Sequence, residues 1–385
     1  MRWPPLATYG HEPTAAELAL LRAATGCGPL DAAGLAAVAD AARDGSDPGV
    51  QRLLPLLYRR PQAGLPAELR AVVEQAYRDA QVRFVRLERE LAAVVGALAD
   101  AGVPVMVLKG YALARAYYAS PAHRPMVDLD LAVPPERHAE AAALLARRGL
   151  RPKVDRLALA VGAGSHALAF AAEDGTEVDL HRNLLPCSRR DGADDGFWAR
   201  AVPLPVRGRP ALTLSPADQL LHACLHGYRE NPGASPVRWA ADALAVLESG
   251  RLDGAAWSVL LAEAGRHRCE GVLRACLAFL AERLGAPVPA GVLDRLAAAP
   301  ARAFDDAYFR FSGKLPRRPT LAWRLRAAWY DYRRYRDGSP GVPTALGFPV
   351  WVASRWGVPA APLAVAAELV RRLPPTRVAT PSRRA

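Results

Sequence analysis

Between Val103 and Val133 the spacing of apolar residues changes from every third or fourth position to every second one, and two acids fall inside the new pattern. Upstream, from about Pro66 to Asp100, Tyr77, Phe84, Leu87, Leu91, Val94 and Leu98 mark one face of a long amphipathic helix. Gly102 is placed to end it. Val103–Leu108 then reads as a short buried strand, Lys109-Gly110 as a turn, and Tyr111–Tyr118 as a short helix. The prolines of Ser120–Pro125 make a loop, after which Val127–Val133 alternates. Val127, Leu129, Leu131 and Val133 take one face of this strand, which leaves Asp128 and Asp130 together on the other.

The same reading extends in both directions. Ala15–Ala24 and Asp31–Arg43 are short alanine-rich helices, and Glu136–Arg148 is a helix closed by Gly149. His166–Ala172 and Thr176–Leu180 flank Asp174-Gly175, a hairpin signal. Helices return at Pro216–Tyr228, Val237–Glu248, Ala255–Arg266, Gly271–Leu284 and Leu321–Arg336. The expected fold class is α+β, with a small mixed β-sheet core at 101–185. An N-terminal helical region (1–100) and a C-terminal helical region (186–370) flank it, and a basic flexible tail (371–385) follows. A chain of 385 residues is long enough for two or three such modules.

Composition limits the function classes. The net charge of +12 comes almost entirely from arginine, since Lys109, Lys153 and Lys314 are the only lysines. Such a field permits anionic partners without identifying one. The five cysteines form no C-x-x-C pair, so neither a disulfide framework nor a cysteine-based zinc site is expected. The most apolar stretch, Gly347–Val370, is broken by Arg355 and three prolines, so no transmembrane segment is expected. With no signal-peptide pattern at the start, a cytoplasmic location is the expectation.

Asp128-Leu129-Asp130 is where chemistry concentrates. Alternate strand residues stand about 7 Å apart at Cα. Two carboxylates about 6 Å apart repel by about 3 kcal/mol at an effective dielectric of about 20. A cation relieves this, and magnesium suits carboxylate and phosphate oxygens. Lys109 and Gly110, at the start of a helix, are candidates to hold phosphate, the glycine by letting it approach the backbone closely. Arg124, just before the acidic strand, is a candidate to neutralise a phosphate or brace the carboxylates. In Glu177-Val178-Asp179-Leu180-His181 alternation puts Glu177, Asp179 and His181 on one face. If that strand lies beside the first, Asp179 completes a three-carboxylate cluster.

The runs V-P-V-M-V-L-K-G-Y-A-L-A-R-A-Y-Y and H-R-P-M-V-D-L-D-L-A-V resemble the nucleotidyltransferase superfamily typified by DNA polymerase beta. More closely, they resemble a bacterial nucleotidyltransferase-like family with Lys-Gly where better-known members have Gly-Ser or Gly-Gly. The later E-V-D-L-H, and the stretch Ser215–Leu247 with Asp218, His222, His226, Trp239 and Asp242, fit the same family. The likeness spans roughly residues 50 to 260 and is most specific over 103–133. It implies that Asp128, Asp130 and Asp179 bind Mg2+, two ions in the superfamily, and that a nucleoside triphosphate is the donor substrate. Lys109, in place of the superfamily's serine hydroxyl, would act on phosphate by charge.

On that resemblance the chain is expected to move a nucleoside monophosphate to a hydroxyl-bearing acceptor: a small molecule, a peptide or protein, or RNA. The alternative is a nucleotidyltransferase-fold scaffold that binds nucleotide or a protein partner without turnover. A third reading gives the basic face an RNA-binding role. His222 and His226, four apart on a helix, read as packed histidines rather than zinc ligands. The aromatic and arginine-rich Leu321–Arg336 reads as a packed helix with a solvated basic face.

Overall fold

Helix starts in the N-terminal region are set by short polar side chains that take up otherwise unpaired backbone N–H groups. The computed structural model describes residues 4–28, 30–45, 47–59, 65–153, 167–188, 190–229, 237–316, 319–336 and Phe348. Apart from Phe348, the apolar stretch 347–370 and the basic tail 371–385 lie outside the described residues. The described residues begin with the helices α1 (Leu6–Tyr9), α2 (Ala15–Thr25), α3 (Ala32–Asp44), α4 (Pro48–Leu57) and α5 (Ala67–Asp100). Thr14 and Glu17 form a reciprocal capping box on α2. Asp47 accepts from the Gly49 and Val50 amides to start α4, with Pro48 at its first position. The 34 residues of α5 bury the stripe that contains Phe84, Leu87, Leu91, Val94 and Leu98, and Gly102 turns the chain away at φ +66°.

Among the described residues, seven strands form one mixed sheet in the order β3-β4-β5-β2-β1-β7-β6. They are β1 (Met106–Val107), β2 (Asp128–Ala132), β3 (Arg151–Pro152), β4 (Ala167–Ala171), β5 (Glu177–His181), β6 (Val202–Pro203) and β7 (Leu212–Thr213). β2 lies between β1, antiparallel to it, and β5, parallel to it. β4 and β5 make the hairpin expected around Asp174-Gly175, where Gly175 sits at φ +81°. Between strands come α6 (Lys109–Tyr117), which leads through the turn Pro121–His123 into β2, and α7 (His138–Arg147).

Two local expectations are corrected. β1 pairs over two residues only, because Pro104 has no N–H to donate, although Val105 and Leu108 still bond to the neighbouring strands through Leu212 and Asp130. Val127 does not join the apolar face: β2 begins at Asp128, and Val127 is 59% exposed. From Leu129 on, β2 is buried on both faces, as befits a central strand.

The C-terminal helices are α8 (Asp195–Ala199), α9 (Pro216–Gly227), α10 (Arg238–Leu247), α11 (Gly254–Arg266), α12 (Glu270–Leu284), α13 (Ala290–Ala297) and α14 (Ala303–Gly313). Ser215 caps α9, which packs on α10, α11 and α12. Met1–Lys153 and His166–Arg317 form one compact unit, so the sheet shares a body with helices from both sides of it in sequence. The fold class is α+β. The other unit contains α15 (Leu321–Arg336), where Arg326 lies over the Tyr330 ring and Trp329 meets Tyr332 and Phe348.

Candidate metal and nucleotide site

The parallel pairing of β2 with β5 sets Asp128 opposite Glu177 and Asp130 opposite Asp179. Because side chains alternate, Asp130, Asp179 and His181 then project from one face at the centre of the sheet. One ligand atom from each of these three lies within 4.8 Å of the other two. Lys109 enters from the turn after β1. Its Nζ is 2.6 Å from Asp130 Oδ1 and 3.3 Å from His181 Nε2, and His181 Nε2 is 3.0 Å from the same carboxylate oxygen. Lys109 adopts φ +45°, a left-handed conformation that a lysine rarely takes. That backbone aims the ammonium into the acidic group while α6 starts immediately behind it.

Burial alone would raise the Asp130 carboxyl. The Lys109 ammonium and the His181 hydrogen bond outweigh it and hold the group well below the ordinary carboxylate range. For Asp179, burial first and then the negative charge of Asp130 outweigh the pull of Lys109 and push the carboxyl up to about 6. Burial and Asp130 also raise Asp128, against the pull of Lys109, Arg238 and Arg124. His181 is lowered by burial and by Lys109, against the pull of the Asp130 carboxylate 3.0 Å from its Nε2.

Of the residues singled out in sequence, Lys109, Asp130 and Asp179 converge directly. Asp128 is one same-face position along β2, half-buried and outside the three-donor group. Gly110 is the second residue of α6 and lies close to its neighbours: a Cβ there would stand 3.0 Å from Met126 Cβ and 3.1 Å from Arg124 Nη1. Arg124 is buried, and its guanidinium is bidentate on Asp242, with Nε–Oδ1 at 3.1 Å and Nη2–Oδ2 at 2.9 Å. Tyr118 also donates to Asp242, at 2.7 Å.

His181 enters the site as well; its signal in the sequence is the alternation of E-V-D-L-H. His222 is buried on α9 and close enough to Lys109, His181 and Asp130 for their charges to act on it, while burial is the main cause that lowers it to about 3. In the sequence His222 and Asp242 belong to the Ser215–Leu247 stretch that fits the family and carry no role in this site, because both arrive from helices distant in the chain.

The donor set fits a divalent ion. Two carboxylates at the bottom of a buried cluster supply the hard oxygens that magnesium takes, and an imidazole nitrogen adds a donor suited to manganese and similar ions. Lys109 already neutralises part of that charge, so a metal held here would share Asp130 with the ammonium.

The structure is similar to that of the antibiotic-resistance factor ANT(2'')-Ia, with 18% identity and a TM-score of 0.35 over 48% of this chain and 93% of that one. It is also similar to an antigenic nucleotidyltransferase-like protein from Paracoccidioides brasiliensis, with 14% identity and a TM-score of 0.32 over 56% of this chain and 94% of that one. No curated protein sequence matches. The profile of the family described as uncharacterised nucleotidyltransferase matches residues 49–285, more than half of the 385 residues. The chain belongs to that nucleotidyltransferase family.

Proposed function

We propose that this protein transfers a nucleoside monophosphate from a nucleoside triphosphate to a hydroxyl-bearing acceptor, with Asp128, Asp130 and Asp179 as ligands of Mg2+. The observation that carries the reading is the register of β2 and β5, which sets Asp130 and Asp179 side by side on parallel strands with Lys109 against them. Two divalent ions, when bound, would neutralise the triphosphate and make an acceptor hydroxyl more acidic. Asp179, pushed up to about 6, is suited to orient that hydroxyl and take its proton. The acceptor oxygen then forms a bond to the α-phosphorus, the α–β phosphoanhydride bond breaks, and pyrophosphate leaves. Lys109 and the amide groups at the start of α6 would stabilise the developing charge, with Gly110 letting a phosphate come close to the backbone. Arg124, tied to Asp242, adds positive charge from behind the turn.

The free cysteines, four of them buried, agree with a reducing cytoplasm as the place of action. Among the described residues no helix is long and apolar enough to cross a membrane.

A second reading is favoured by one contact. Because the Lys109 ammonium neutralises Asp130 without a metal, the fold can persist as a scaffold that binds nucleotide or a protein partner without turnover. Purified protein incubated with nucleoside triphosphates and MgCl2 separates the two. Pyrophosphate release that is metal-dependent and lost in Asp130→Ala supports transfer; nucleotide binding with no release supports the scaffold.

A further inference from the structure

The contact between Asp130 and His181 has the spacing of two neighbouring metal ligands. An octahedral divalent ion with bonds of about 2.1 Å holds adjacent ligand atoms about 3 Å apart. Asp130 Oδ1 and His181 Nε2 are 3.0 Å apart, and one ligand atom of Asp179 lies within 4.8 Å of its counterparts in both. Lys109 Nζ stands 2.6 Å from that oxygen and 3.3 Å from that nitrogen, so a cation already rests against both donors. The sheet fixes the arrangement. Asp130 pairs with Asp179 in register, and His181 follows two positions later on the same face of β5. Asp130 is 5% exposed and His181 1%, which leaves both side chains little freedom to turn away.

These donors differ in kind from an all-oxygen set. Mg2+ takes oxygen ligands and gives up its waters reluctantly, so carboxylates and phosphates suit it best. An imidazole nitrogen is a better donor to first-row transition ions, which bind mixed nitrogen and oxygen sites more tightly along the series from Mn2+ onward. Two carboxylates with one imidazole therefore favour Mn2+ or a neighbour in that series over Mg2+. Asp128 lies outside the group and offers oxygen alone.

We infer that His181 is a direct metal ligand, and that Asp130, Asp179 and His181 hold a transition ion, Mn2+ in preference to Mg2+. This deepens the nucleotidyl-transfer reading, on which the role of the ion rests. The two ion positions of that reading then differ in chemistry. One is a mixed nitrogen and oxygen position supplied by the protein. The other, at Asp128, is an oxygen position for the Mg2+ that accompanies the triphosphate. Lys109 is compatible with the first: an ammonium on a flexible stem can yield the Asp130–His181 edge to an ion and remain beside Asp130.

The test is titration of the full chain with MnCl2, without nucleotide, followed by electron paramagnetic resonance. Spin-echo modulation from a coordinated imidazole nitrogen is expected in wild type and lost in His181→Gln, with Mn2+ affinity falling about tenfold or more. Mg2+ in competition is expected to displace Mn2+ from wild type only at about tenfold excess or more, and His181→Asp should narrow that margin. Wild type alone can overturn the inference: by not binding Mn2+, by showing no nitrogen modulation, or by losing Mn2+ to an equal concentration of Mg2+. Modulation that persists in His181→Gln also overturns it. Should that variant fail to fold by circular dichroism, His181→Asp takes its place in the same measurement. Pyrophosphate release from nucleoside triphosphate keeps the two ideas apart. Metal-dependent release in a chain whose Mn2+ shows no nitrogen modulation sinks the His181 ligand and leaves transfer standing. Modulation in a chain that never releases pyrophosphate sinks transfer and leaves the ligand standing.

Discussion

Lys109 shows how much one side chain can decide here. It is one of three lysines in the chain, it bends its backbone to φ +45°, and its ammonium ends 2.6 Å from a carboxylate that is 5% exposed. Removal of one member of a buried ion pair leaves the other charge uncompensated. Lys109→Met is therefore expected to destabilise the fold by about 3 kcal/mol. A divalent ion that binds only the folded chain should return part of that loss. Urea denaturation of Lys109→Met with and without MnCl2 checks both points; equal midpoints in the two conditions would mean that no ion replaces the ammonium. Gly110 allows a second prediction. A methyl group added at this position would press on Met126 and Arg124, so Gly110→Ala should cost about 1–3 kcal/mol in thermal or urea unfolding.

At the scale of elements, the strand that carries the acids is fastened to a helix more than a hundred residues later. Arg124, at the entry to β2, is bidentate on Asp242 of α10, which also accepts from Tyr118 at the end of α6. One carboxylate thus ties together three elements. Asp242→Ala should destabilise by about 3–5 kcal/mol, because it strands a buried guanidinium. The double replacement Arg124→Met with Asp242→Leu should be less harmful than the sum of the two single changes. A double-mutant cycle on unfolding free energies measures the difference, and strict additivity would show that the two residues do not depend on each other. The sequence marked Arg124 to neutralise a phosphate or brace the carboxylates; its guanidinium is bidentate on a carboxylate that no local pattern pairs with it.

For the whole molecule, pH is a direct probe of how burial is distributed. Asp194, beside the first turn of α8, is 5% exposed; its Oδ2 accepts from the Leu184 amide, and its Oδ1 has no partner among the described residues. Burial raises its carboxyl to about 7, against the pull of the Leu184 amide and Asn183. An unfolded aspartate titrates at about 3.9, so between that pH and about 7 the folded chain holds a proton that the unfolded chain has released. This group's contribution is therefore fully present at low pH and declines as pH rises through that window. Asp194→Asn should flatten that part of the stability profile from denaturant titrations at several pH values, and an unchanged slope would refute the assignment. The elements themselves were legible in the chain because local physics decides them. The amphipathic period of α5, the Asp174-Gly175 hairpin and the alternation of Asp128 and Asp130 each need only neighbours a few positions away. The nomination of Asp128, Asp130 and Asp179, with the two-ion chemistry attached to them, came from alternation together with family resemblance. Tertiary structure alone decided that β5 lies parallel to β2 in the register that sets Asp179 against Asp130, and that His181, His222, Arg238 and Asp242 gather there. Those encounters depend on burial and long-range pairing, whose free energies belong to the packed molecule and not to any stretch of its sequence.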